Sequence, residues 1–332
     1  MTGSITQSSG AGHATILGLG AYRPRRVVSN AEILEHIDSS DEWIQTRSGI
    51  KERRWADPDE TVLAMSVSAA KDALTDSGID PAQIGCVIVA TVTHLYQTPA
   101  IATQIAVEVG APTAAAFDVS AACAGFCYGV ALANDLVRGG SSPYVLVIGV
   151  ERLSDITDRT DRGTAFIFAD GAGAAVVGPS DQNGIGPVVW GSDGTQHHVI
   201  AQKESWQEAA ESANWPNLTM EGNPVFRWAS YEMAKVAQQA LDVAGVKAED
   251  LDAFIPHQAN NRITDAMIRS LKLPEHVKVA RDIVRQGNTS AASVPLAIDA
   301  MRESGELKSG DTALIIGFGA GLVYAAQVIR LP

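Results

Sequence analysis

Short runs of consecutive apolar residues alternate along the chain with longer segments rich in alanine. Cys86–Val89 and Val145–Ile148 are two such runs, and Ala124–Arg138 is an alanine-rich segment between them. A strand that is apolar at successive positions is buried on both faces of its sheet, whereas a half-exposed strand alternates. The pattern therefore predicts an α/β fold in which helices cover both faces of the sheets.

The same order of elements occurs twice. Residues 73–90 and 240–257 each contain a helix end, a glycine, an acidic or proline-containing loop and a short apolar strand, at an offset of 167 (240 − 73). LVIG at 146–149 recurs as LIIG at an offset of 168, and Ser120–Cys123 matches Ser290–Ser293 at an offset of 170. Because the separation is nearly constant, duplication of a βα unit explains the matches better than coincidence does.

Two like halves follow from this duplication. We predict a flexible N-terminus over residues 1–13, an N-terminal half over 14–180 that contains Cys123, and a C-terminal half over 181–332 that contains His257 and Asn288. Placed around a shared central layer of helices, two such halves form a five-layer α-β-α-β-α sandwich.

No segment of the sequence is typical of a secretion signal or a membrane span. The first 13 residues, MTGSITQSSGAGH, lack the basic start and the apolar run of a signal peptide. The uncharged run of residues 119–133, rich in alanine and glycine, falls short of the roughly 18–20 strongly apolar residues that span a bilayer. We therefore expect a cytoplasmic protein with no membrane partner.

The charge balance of the 332-residue chain is acidic, with a formal net charge of −13. Since binding to nucleic acid depends on clustered lysine and arginine, this balance argues against a nucleic acid partner. One segment, residues 260–285, departs from the trend with six basic residues against three acidic ones. A solvated helix face is the ordinary interpretation of such a run.

The chain has three cysteines, Cys86, Cys123 and Cys127, which are too few for a disulfide framework and lack paired metal-ligand spacing. We expect a reducing compartment and no metal site. Cys123 precedes the helical pattern of Ala124–Arg138, so its thiol should face the amino end of that helix. Unpaired N–H groups and the helix dipole there favour the nucleophilic thiolate. For a lone cysteine, inert packing is nevertheless the commoner role.

Two further polar residues stand at predicted strand-to-helix loops, where α/β folds place functional groups. His257 follows the strand Ala253–Ile255, and Asn288 precedes a helix that begins near Ala291. Taken singly, such a histidine is usually structural and such an asparagine is usually a helix cap. The duplication superposes the Asn288 segment on the Cys123 segment, so these two loops should approach each other across a pseudo-twofold axis.

Six motifs follow one another along the chain. They are DEWIQTRSGI (41–50), SAACAGF around Cys123, DRGTAFIFADGAGAA (161–175), HQANNR at His257, GNTSAAS at Asn288 and GFGAG (317–321). In this order they resemble the motifs of β-ketoacyl-acyl-carrier-protein synthase III, a condensing enzyme of the thiolase fold, over roughly residues 14–331. The resemblance implies an acyltransferase that initiates fatty acid synthesis by joining an acyl-CoA starter to malonyl-acyl carrier protein, with release of CO2 and CoA.

The resemblance implies a role for each of the three polar residues. Cys123 would be the acylated nucleophile, and His257 and Asn288 would donate hydrogen bonds to the malonyl thioester oxygen as the enolate forms. The backbone N–H of Cys123, with one from a glycine loop, would form the oxyanion hole of the acyl transfer. The residues of this loop are Gly317, Gly319, Ala320 and Gly321. The acyl thioesters are substrates, and no cofactor or metal is implied.

The resemblance also implies binding residues. The expected CoA contacts are Trp43, Arg47, Arg162, Asn223 and Asn260. The expected carrier-protein contacts are Gln258, Ala259, Asn260, Asn261 and Arg262. Thr98, in the loop THLYQTPA (93–100), would reach across a homodimer to gate the partner's acyl pocket. Because threonine is smaller than the phenylalanine of some relatives, we expect branched or medium-to-long starters to be accepted as well as acetyl-CoA.

Three alternatives stay open at this point. A related starter enzyme or acyltransferase of a polyketide or other secondary-metabolite pathway would keep Cys123 and much of the sequence. A thiolase would use a second catalytic cysteine near the C-terminal glycine loop, and this chain has no cysteine after Cys127. A non-catalytic carrier-binding subunit would have lost its nucleophile, whereas all three polar residues are present here.

Overall fold

Strands and helices alternate along most of the chain, as the apolar pattern predicts. The computed structural model describes residues 5–6 and 8–332, so part of the predicted flexible segment 1–13 lies outside the described residues. The strands are β1 (His13–Tyr22), β2 (Arg26–Ser29), β3 (Glu52–Trp55), β4 (Ile84–Ala90), β5 (Ala115–Val119), β6 (Tyr144–Arg152), β7 (Asp170–Ser180), β8 (Val189–Ser192), β9 (Ile200–Gln202), β10 (Leu218–Met220), β11 (Ala253–Pro256), β12 (Lys278–Val279), β13 (Thr312–Gly319) and β14 (Val323–Arg330).

The helices differ widely in length. They are α1 (Asn30–Ile33), α2 (Asp41–Ser48), α3 (Val62–Ser77), α4 (Ile101–Glu108), α5 (Gly125–Gly139), α6 (Trp206–Ser212), α7 (Gly222–Ala244), α8 (Asn261–Leu271), α9 (Ile283–Gln286) and α10 (Ser293–Glu303). Single turns of 3-10 helix at Ala122–Ala124 and Ser290–Ala292 lead directly into α5 and α10. Within residues 5–6 and 8–332, no helix combines the length and the apolar character needed to cross a membrane.

Ten of the strands form two sheets of the same design. The first sheet has the order β1-β7-β6-β4-β5, and the second has the order β8-β14-β13-β11-β12. In the first sheet β6, β4 and β5 are parallel while β7 and β1 are antiparallel to their neighbours. The second sheet repeats this with β13, β11 and β12 parallel and β14 and β8 antiparallel. Equivalent strands therefore occupy equivalent places in the two sheets.

Helices α5 and α10 lie between the two sheets. They share one buried core with residues of the first sheet, such as Ile88 and Val147, and of the second, such as Ile255 and Ile315. Helices α3 and α4 pack on the other side of the first sheet, and α7 and α8 pack on the other side of the second. The layers thus follow the order α-β-α-β-α, which is the predicted five-layer sandwich of the thiolase fold.

A glycine ends the outer helix of each half in the same way. Gly78 after α3 and Gly245 after α7 have φ values of 66° and 67°, in the left-handed region that favours glycine. Each is followed by a single 3-10 turn, Pro81–Gln83 or Ala248–Asp250, and then by a parallel strand. These shared ends account for the offset of 167 residues found in the sequence.

The turns that precede the central helices correct one of the predicted matches. Ala122–Ala124 and Ser290–Ala292 differ by 168 residues, and the first residue of each turn has a left-handed backbone, with φ of 43° and 47°. Cys123 therefore corresponds to Ala291, and its match with Ser293 at an offset of 170 is wrong. The shared letters were misleading because the backbone conformation, and not the side chains, is what the two turns have in common.

A smaller lobe of β2, β3, α1 and α2 is held in place by a buried cation. Arg53 donates hydrogen bonds to the carbonyl oxygens of Val28 (3.1 Å) and Phe166 (2.9 Å) and to Asn30 Oδ1 (2.6 Å). Burial lowers the pKa of Arg53 to about 10, since a buried charge is costly unless acceptors surround it. These bonds fix the lobe, with Trp43 on α2, against the loop that contains Phe166.

Candidate active site

A cavity of about 1020 Å³ is lined by residues of both halves. Cys123 reaches it from the turn before α5, His257 from the residue after β11, and Asn288 from the segment before α10. Two of these places follow the carboxyl ends of parallel strands, where α/β folds build their sites. The structure therefore brings the three predicted catalytic residues to one cavity.

Cys123 lies directly against the glycine loop. A Cβ atom on Gly319 would stand 2.8 Å from Cys123 Sγ, and one on Gly317 would stand 2.8 Å from the Cys123 carbonyl oxygen. Both distances are too short for a side chain, so both positions require glycine. Gly319 and Ala320 line the cavity, whereas Gly317 lies against the Cys123 turn and Gly321 follows the end of β13.

The ionisation of Cys123 differs from the expectation based on sequence. Helix α5 begins two residues later, but burial raises the pKa of the thiol to about 12, and the charge of Glu151 also raises it. Hydrogen bonds from Ser290 and from the backbone of Cys123 act in the opposite direction and are outweighed. The helix dipole is worth only about 1 kcal/mol. Burial therefore favours the neutral thiol in the resting enzyme.

His257 is held as a neutral hydrogen-bond donor. Its Nδ1 lies 2.7 Å from the Ser293 hydroxyl, and its ring packs edge-on against Phe318, with 5.4 Å between the ring centroids. Burial lowers the pKa of His257 to about 3, so the imidazole is uncharged at neutral pH. If Nδ1 accepts the Ser293 proton, Nε2 carries the hydrogen and can donate it into the cavity.

Asn288 is fixed at both its backbone and its side chain. Its N–H donates to the Ile167 carbonyl and its own carbonyl accepts from the Ala169 N–H, both at 2.9 Å. Its Oδ1 accepts from the Ser290 N–H at 2.8 Å. The Nδ2 end of the amide is therefore the donor left to face the cavity.

Two residues to which sequence reasoning assigned no function lie beside Cys123. Ser290 lowers the pKa of Cys123, and its hydroxyl donates to Glu151 Oε1 at 3.1 Å. Glu151 is fully buried, and burial raises its pKa to about 7. A signal for Glu151 was present, since it is an acid that follows the uninterrupted apolar run of residues 145–150. Acids are rarely buried completely without a partner or a function.

Aromatic and arginine side chains form one end of the cavity. The ring of Trp43 meets Phe166 edge-on, with 5.3 Å between centroids, while Arg162 lies 4.7 Å and Arg47 5.8 Å from the Trp43 ring. Trp43 and Arg47 line the cavity, and Arg162 joins them through its contact with Trp43. A flat indole flanked by guanidinium groups suits a ligand with an aromatic ring and phosphates.

The two asparagines predicted to contact CoA differ in how far their side chains are already hydrogen-bonded within the protein. Both line the cavity, but Asn223 is exposed at the start of α7. Asn260 caps α8, where its Oδ1 accepts from the Arg262 N–H at 2.9 Å, and its Nδ2 donates to the Arg47 carbonyl at 2.8 Å. Both ends of the Asn260 amide are thus engaged within the protein, and Asn223 is the freer residue for a ligand.

One of the predicted carrier-protein contacts does not lie on the surface. Gln258 is 2% exposed, and its amide donates to the Pro256 carbonyl at 2.7 Å and accepts from the Ile283 N–H at 3.1 Å. It is a structural residue, so its prediction as a carrier contact is wrong. Arg262 is exposed at the cavity, with its guanidinium 4.8 Å from the Phe226 ring. The partly or fully exposed members of the set are Ala259, Asn260, Asn261 and Arg262.

Thr98 does not line the cavity of its own chain. It is exposed in the loop between β4 and α4, while its neighbours Gln97 and Ala100 border the cavity. An exposed position is compatible with a residue that acts in a second copy of the chain, and this role stays a prediction.

Comparison with known proteins gives matches along almost the whole chain. Family models match residues 117–194 (3-oxoacyl-[acyl-carrier-protein (ACP)] synthase III) and residues 241–331 (the C-terminal part of the same family). Proteins named beta-ketoacyl-[acyl-carrier-protein] synthase III 1 from Streptomyces coelicolor and beta-ketoacyl-[acyl-carrier-protein] synthase III from Streptomyces glaucescens are 60% and 61% identical, each match covering 99% of both chains. A solved structure, the priming beta-ketosynthase from the R1128 polyketide biosynthetic pathway, is 50% identical with a TM-score of 0.97 over 99% of both chains.

Replacing Ser293 with alanine should allow both neutral tautomers of His257, because the Ser293 hydroxyl is the hydrogen-bond partner of Nδ1. We expect nitrogen NMR of labelled histidine to show Nε2–H alone in the parent protein and a mixture of tautomers in Ser293→Ala. Loss of this bond should also lower the free energy of unfolding by about 1 kcal/mol. Ser230→Ala, which removes a buried hydroxyl without a hydrogen-bond partner, is the matched control. An unchanged His257 spectrum in Ser293→Ala would contradict the assigned tautomer.

Proposed function

The chain belongs to the 3-oxoacyl-[acyl-carrier-protein] synthase III family, and from that premise we propose how its cavity performs the reaction. The protein is a condensing acyltransferase of fatty acid biosynthesis. It joins an acyl-CoA starter to malonyl-acyl carrier protein and yields β-ketoacyl-acyl carrier protein, CO2 and CoA. The observation that carries the assignment of residues is the meeting of Cys123, His257 and Asn288 on one cavity.

In the first half-reaction, Cys123 Sγ attacks the carbonyl carbon of acyl-CoA. A carbon–sulfur bond to Cys123 forms while the bond to the CoA sulfur breaks. An acyl carbon on Sγ would stand beside Gly319, where a side chain would clash with that sulfur, so the backbone N–H groups of the glycine loop and of Cys123 can hold the oxyanion. Trp43, Arg47 and Arg162 would hold the adenine and phosphates of CoA, and Asn223 would contact its pantetheine arm.

In the second half-reaction, the malonyl thioester loses CO2 and the resulting enolate attacks the acyl group on Cys123. His257 Nε2–H and Asn288 Nδ2 donate hydrogen bonds to the thioester oxygen, where negative charge develops. A neutral imidazole suits this task because it donates without taking up a proton. These steps need a nucleophile and hydrogen-bond donors, and we propose that they use no metal and no prosthetic cofactor.

The carrier protein would approach the cavity beside α8. Arg262 is our main candidate contact, because it is exposed at the cavity and its guanidinium is held over Phe226. Arg269, in the last turn of the same helix, and Lys272, which caps it, extend the positive surface. In a chain with a net charge of −13, this local excess would steer an acidic partner to one place.

We also propose a homodimer. Strand β5 lies at the end of the first sheet, and the neighbouring exposed apolar side chains include Tyr96, Val107 and Phe117. An unpaired strand edge beside apolar surface is a ready interface. In such a dimer the exposed Thr98 would reach the acyl pocket of the second copy. All three cysteines are free, and we expect a cytoplasmic location on that ground.

A second candidate function is the priming of a polyketide pathway. It is favoured by the structural likeness to the R1128 priming ketosynthase, whose fold this chain shares with a TM-score of 0.97. The higher identity to the Streptomyces synthases III, 60–61% against 50%, makes fatty acid synthesis our first choice. Condensation rates with malonyl groups on carrier proteins of the two pathways would discriminate between them.

Variants of two residues should separate the half-reactions. Cys123→Ala should form no acyl-enzyme from acetyl-CoA but keep malonyl decarboxylation, whereas His257→Ala should lower decarboxylation by about 10²–10³ and acylation far less. Acylation is measured by intact-protein mass spectrometry and decarboxylation by CO2 release. His276→Ala, which alters an exposed histidine on the loop after α8, should behave like the parent. Parent-like decarboxylation by His257→Ala would refute the enolate-stabilising role.

Charge reversal at Arg262 should selectively weaken the binding of malonyl-acyl carrier protein. We expect Arg262→Glu to raise KM for malonyl-acyl carrier protein about tenfold, or about 1.4 kcal/mol, and to leave acylation by free acetyl-CoA close to normal. The effect should shrink as salt rises, because it is electrostatic. Lys71→Glu, an exposed change on α3, is the control for altered net charge. Equal impairment with both substrates would instead indicate damage inside the cavity.

Substitution of Thr98 should change the choice of starter if the dimer forms as proposed. Thr98→Phe should lower the rate with branched and longer acyl-CoAs relative to acetyl-CoA by more than about tenfold, since each methylene buried is worth up to about 0.8 kcal/mol. The measurement is a panel of acyl-CoA starters, with sedimentation velocity to verify the dimer. A monomeric protein, or an unchanged profile of starters, would contradict the gate.

A further inference from the structure

A buried acid lies next to the reactive thiol and has no basic partner among its hydrogen bonds. Glu151 accepts bonds from the Thr93 hydroxyl at 2.7 Å, the Val92 N–H at 3.1 Å, the Ser290 hydroxyl at 3.1 Å and the Thr91 hydroxyl at 3.3 Å. All its hydrogen-bond partners are thus neutral. Such a carboxyl group can gain or lose a proton without breaking an ion pair.

The charged and titratable groups near Glu151 are engaged elsewhere or belong to the reaction. Arg152, the next residue, directs its guanidinium to Asp155 at 3.5 Å. Asp170, on the paired strand β7, accepts from the Ala56 N–H at 2.7 Å and from the Ser154 hydroxyl at 2.6 Å. His94, on the loop that supplies the threonines, has its Nε2 3.2 Å from the Pro99 carbonyl. Cys123 is the titratable neighbour whose ionisation Glu151 opposes.

Ser290 connects this acid to the thiol. Its hydroxyl donates to Glu151 Oε1 at 3.1 Å and lies beside Cys123, where it stabilises the thiolate, so it can take up the thiol proton while it passes on its own. Its backbone is fixed in a left-handed conformation with φ of 47°, and its N–H is bound by Asn288 Oδ1 at 2.8 Å. The hydroxyl is therefore held between the two groups by the backbone that carries it.

The proposed reaction needs an acceptor for the thiol proton, and the obvious candidate does not suit. Cys123 rests as a neutral thiol, since burial raises its pKa to about 12. His257 is a poor acceptor, because burial lowers its pKa to about 3. The pKa of Glu151, about 7, is matched to a group that takes up and releases a proton near neutral pH.

We propose that Glu151 takes the Cys123 proton through Ser290 during acylation, keeps it while the acyl-enzyme exists, and returns it when condensation releases Cys123. This inference rests on the proposed function and adds a positioning residue, Glu151, to it.

The bonds and protons balance over the two half-reactions. In acylation the Cys123 S–H proton moves to Ser290 Oγ and the Ser290 proton moves to Glu151, while the acyl group leaves CoA, whose thiolate departs and takes a proton from water. In condensation the enolate carbon bonds to the acyl carbon and the carbon–sulfur bond to Cys123 breaks. Protonated Glu151 then donates to Ser290, and Ser290 donates to the Cys123 thiolate.

Glu151→Gln tests the proposal, because the amide keeps the shape of the side chain but cannot take up the proton. We expect acylation by acetyl-CoA, followed by rapid quench and intact-protein mass spectrometry, to slow by about 10²-fold or more. Decarboxylation of malonyl-acyl carrier protein, compared between Cys123→Ala and Cys123→Ala/Glu151→Gln, should not change. Equal loss of both half-reactions would show a structural role for Glu151 and overturn the proposal.

Ser290→Ala provides a second test, which does not require the Glu151→Gln variant to fold. Alanine is tolerated in this backbone conformation, since Ala122 occupies the equivalent position with φ of 43°. Acylation should slow about as much as in Glu151→Gln, and the double variant should be no slower than either single variant. Thr289→Val removes the adjacent buried hydroxyl, which has no hydrogen-bond partner, and should acylate like the parent. Parent-like acylation by Ser290→Ala would overturn the proposal.

The pH dependence of acylation gives a readout that a structural role would not affect. In the parent the rate should rise as pH rises through about 7, because Glu151 must lose its own proton before it can accept another. The inflection should be absent from Glu151→Gln and Ser290→Ala. An inflection that persists in both variants would overturn the proposal, whereas the proposed function itself falls only if Cys123→Ala is still acylated.

Discussion

Two equivalent backbone contacts across the pseudo-twofold axis fix the geometry of the site. A Cβ on Gly149 would stand 2.3 Å from the Ala291 carbonyl oxygen, and one on Gly317 would stand 2.8 Å from the Cys123 carbonyl oxygen. The residues of each pair have their counterparts in the other, 168 residues away. Each half thus presses the turn before its central helix against a strand glycine of the other half. This mutual approach sets Cys123 beside the turn that contains Ser290.

The duplicated frame carries an unequal set of side chains. At the position equivalent to Cys123 the second half has Ala291, and at the position equivalent to Asn288 the first half has Ser120. One half therefore supplies Cys123, the proposed nucleophile, and the other supplies His257 and Asn288. Burial favours the neutral forms of the thiol and the imidazole, so in the proposed reaction neutral donors would stabilise charge only when the reaction creates it.

The fold could be predicted from sequence because its signals are local and repeated. Apolar strands and helix-ending glycines indicate the layers. The glycine shared by LVIG and LIIG is Gly149 in the first half and Gly317 in the second, and the turn of the opposite half packs against each of them. The predicted match of Cys123 with Ser293 was wrong. The two turns correspond through the left-handed backbone of Ala122 and Ser290, and these equivalent positions hold different residue types. The thiolate expectation did not allow for burial of the thiol, which depends on tertiary packing. Glu151 was missed because its hydrogen-bond partners come from two separate segments, residues 91–93 and Ser290. Gln258 belongs to the motif HQANNR, which the resemblance assigns to the carrier-protein surface, yet its amide forms hydrogen bonds in the protein interior.

The central claim is that Cys123 carries the acyl group between two half-reactions. Peptide mapping by mass spectrometry of the parent enzyme, first with acetyl-CoA and then with malonyl-acyl carrier protein, tests it most directly. We expect one acetyl group on the peptide that contains Cys123, and its disappearance as β-ketoacyl-acyl carrier protein forms. An acetyl group on another residue, or one that persists while product accumulates, would contradict it.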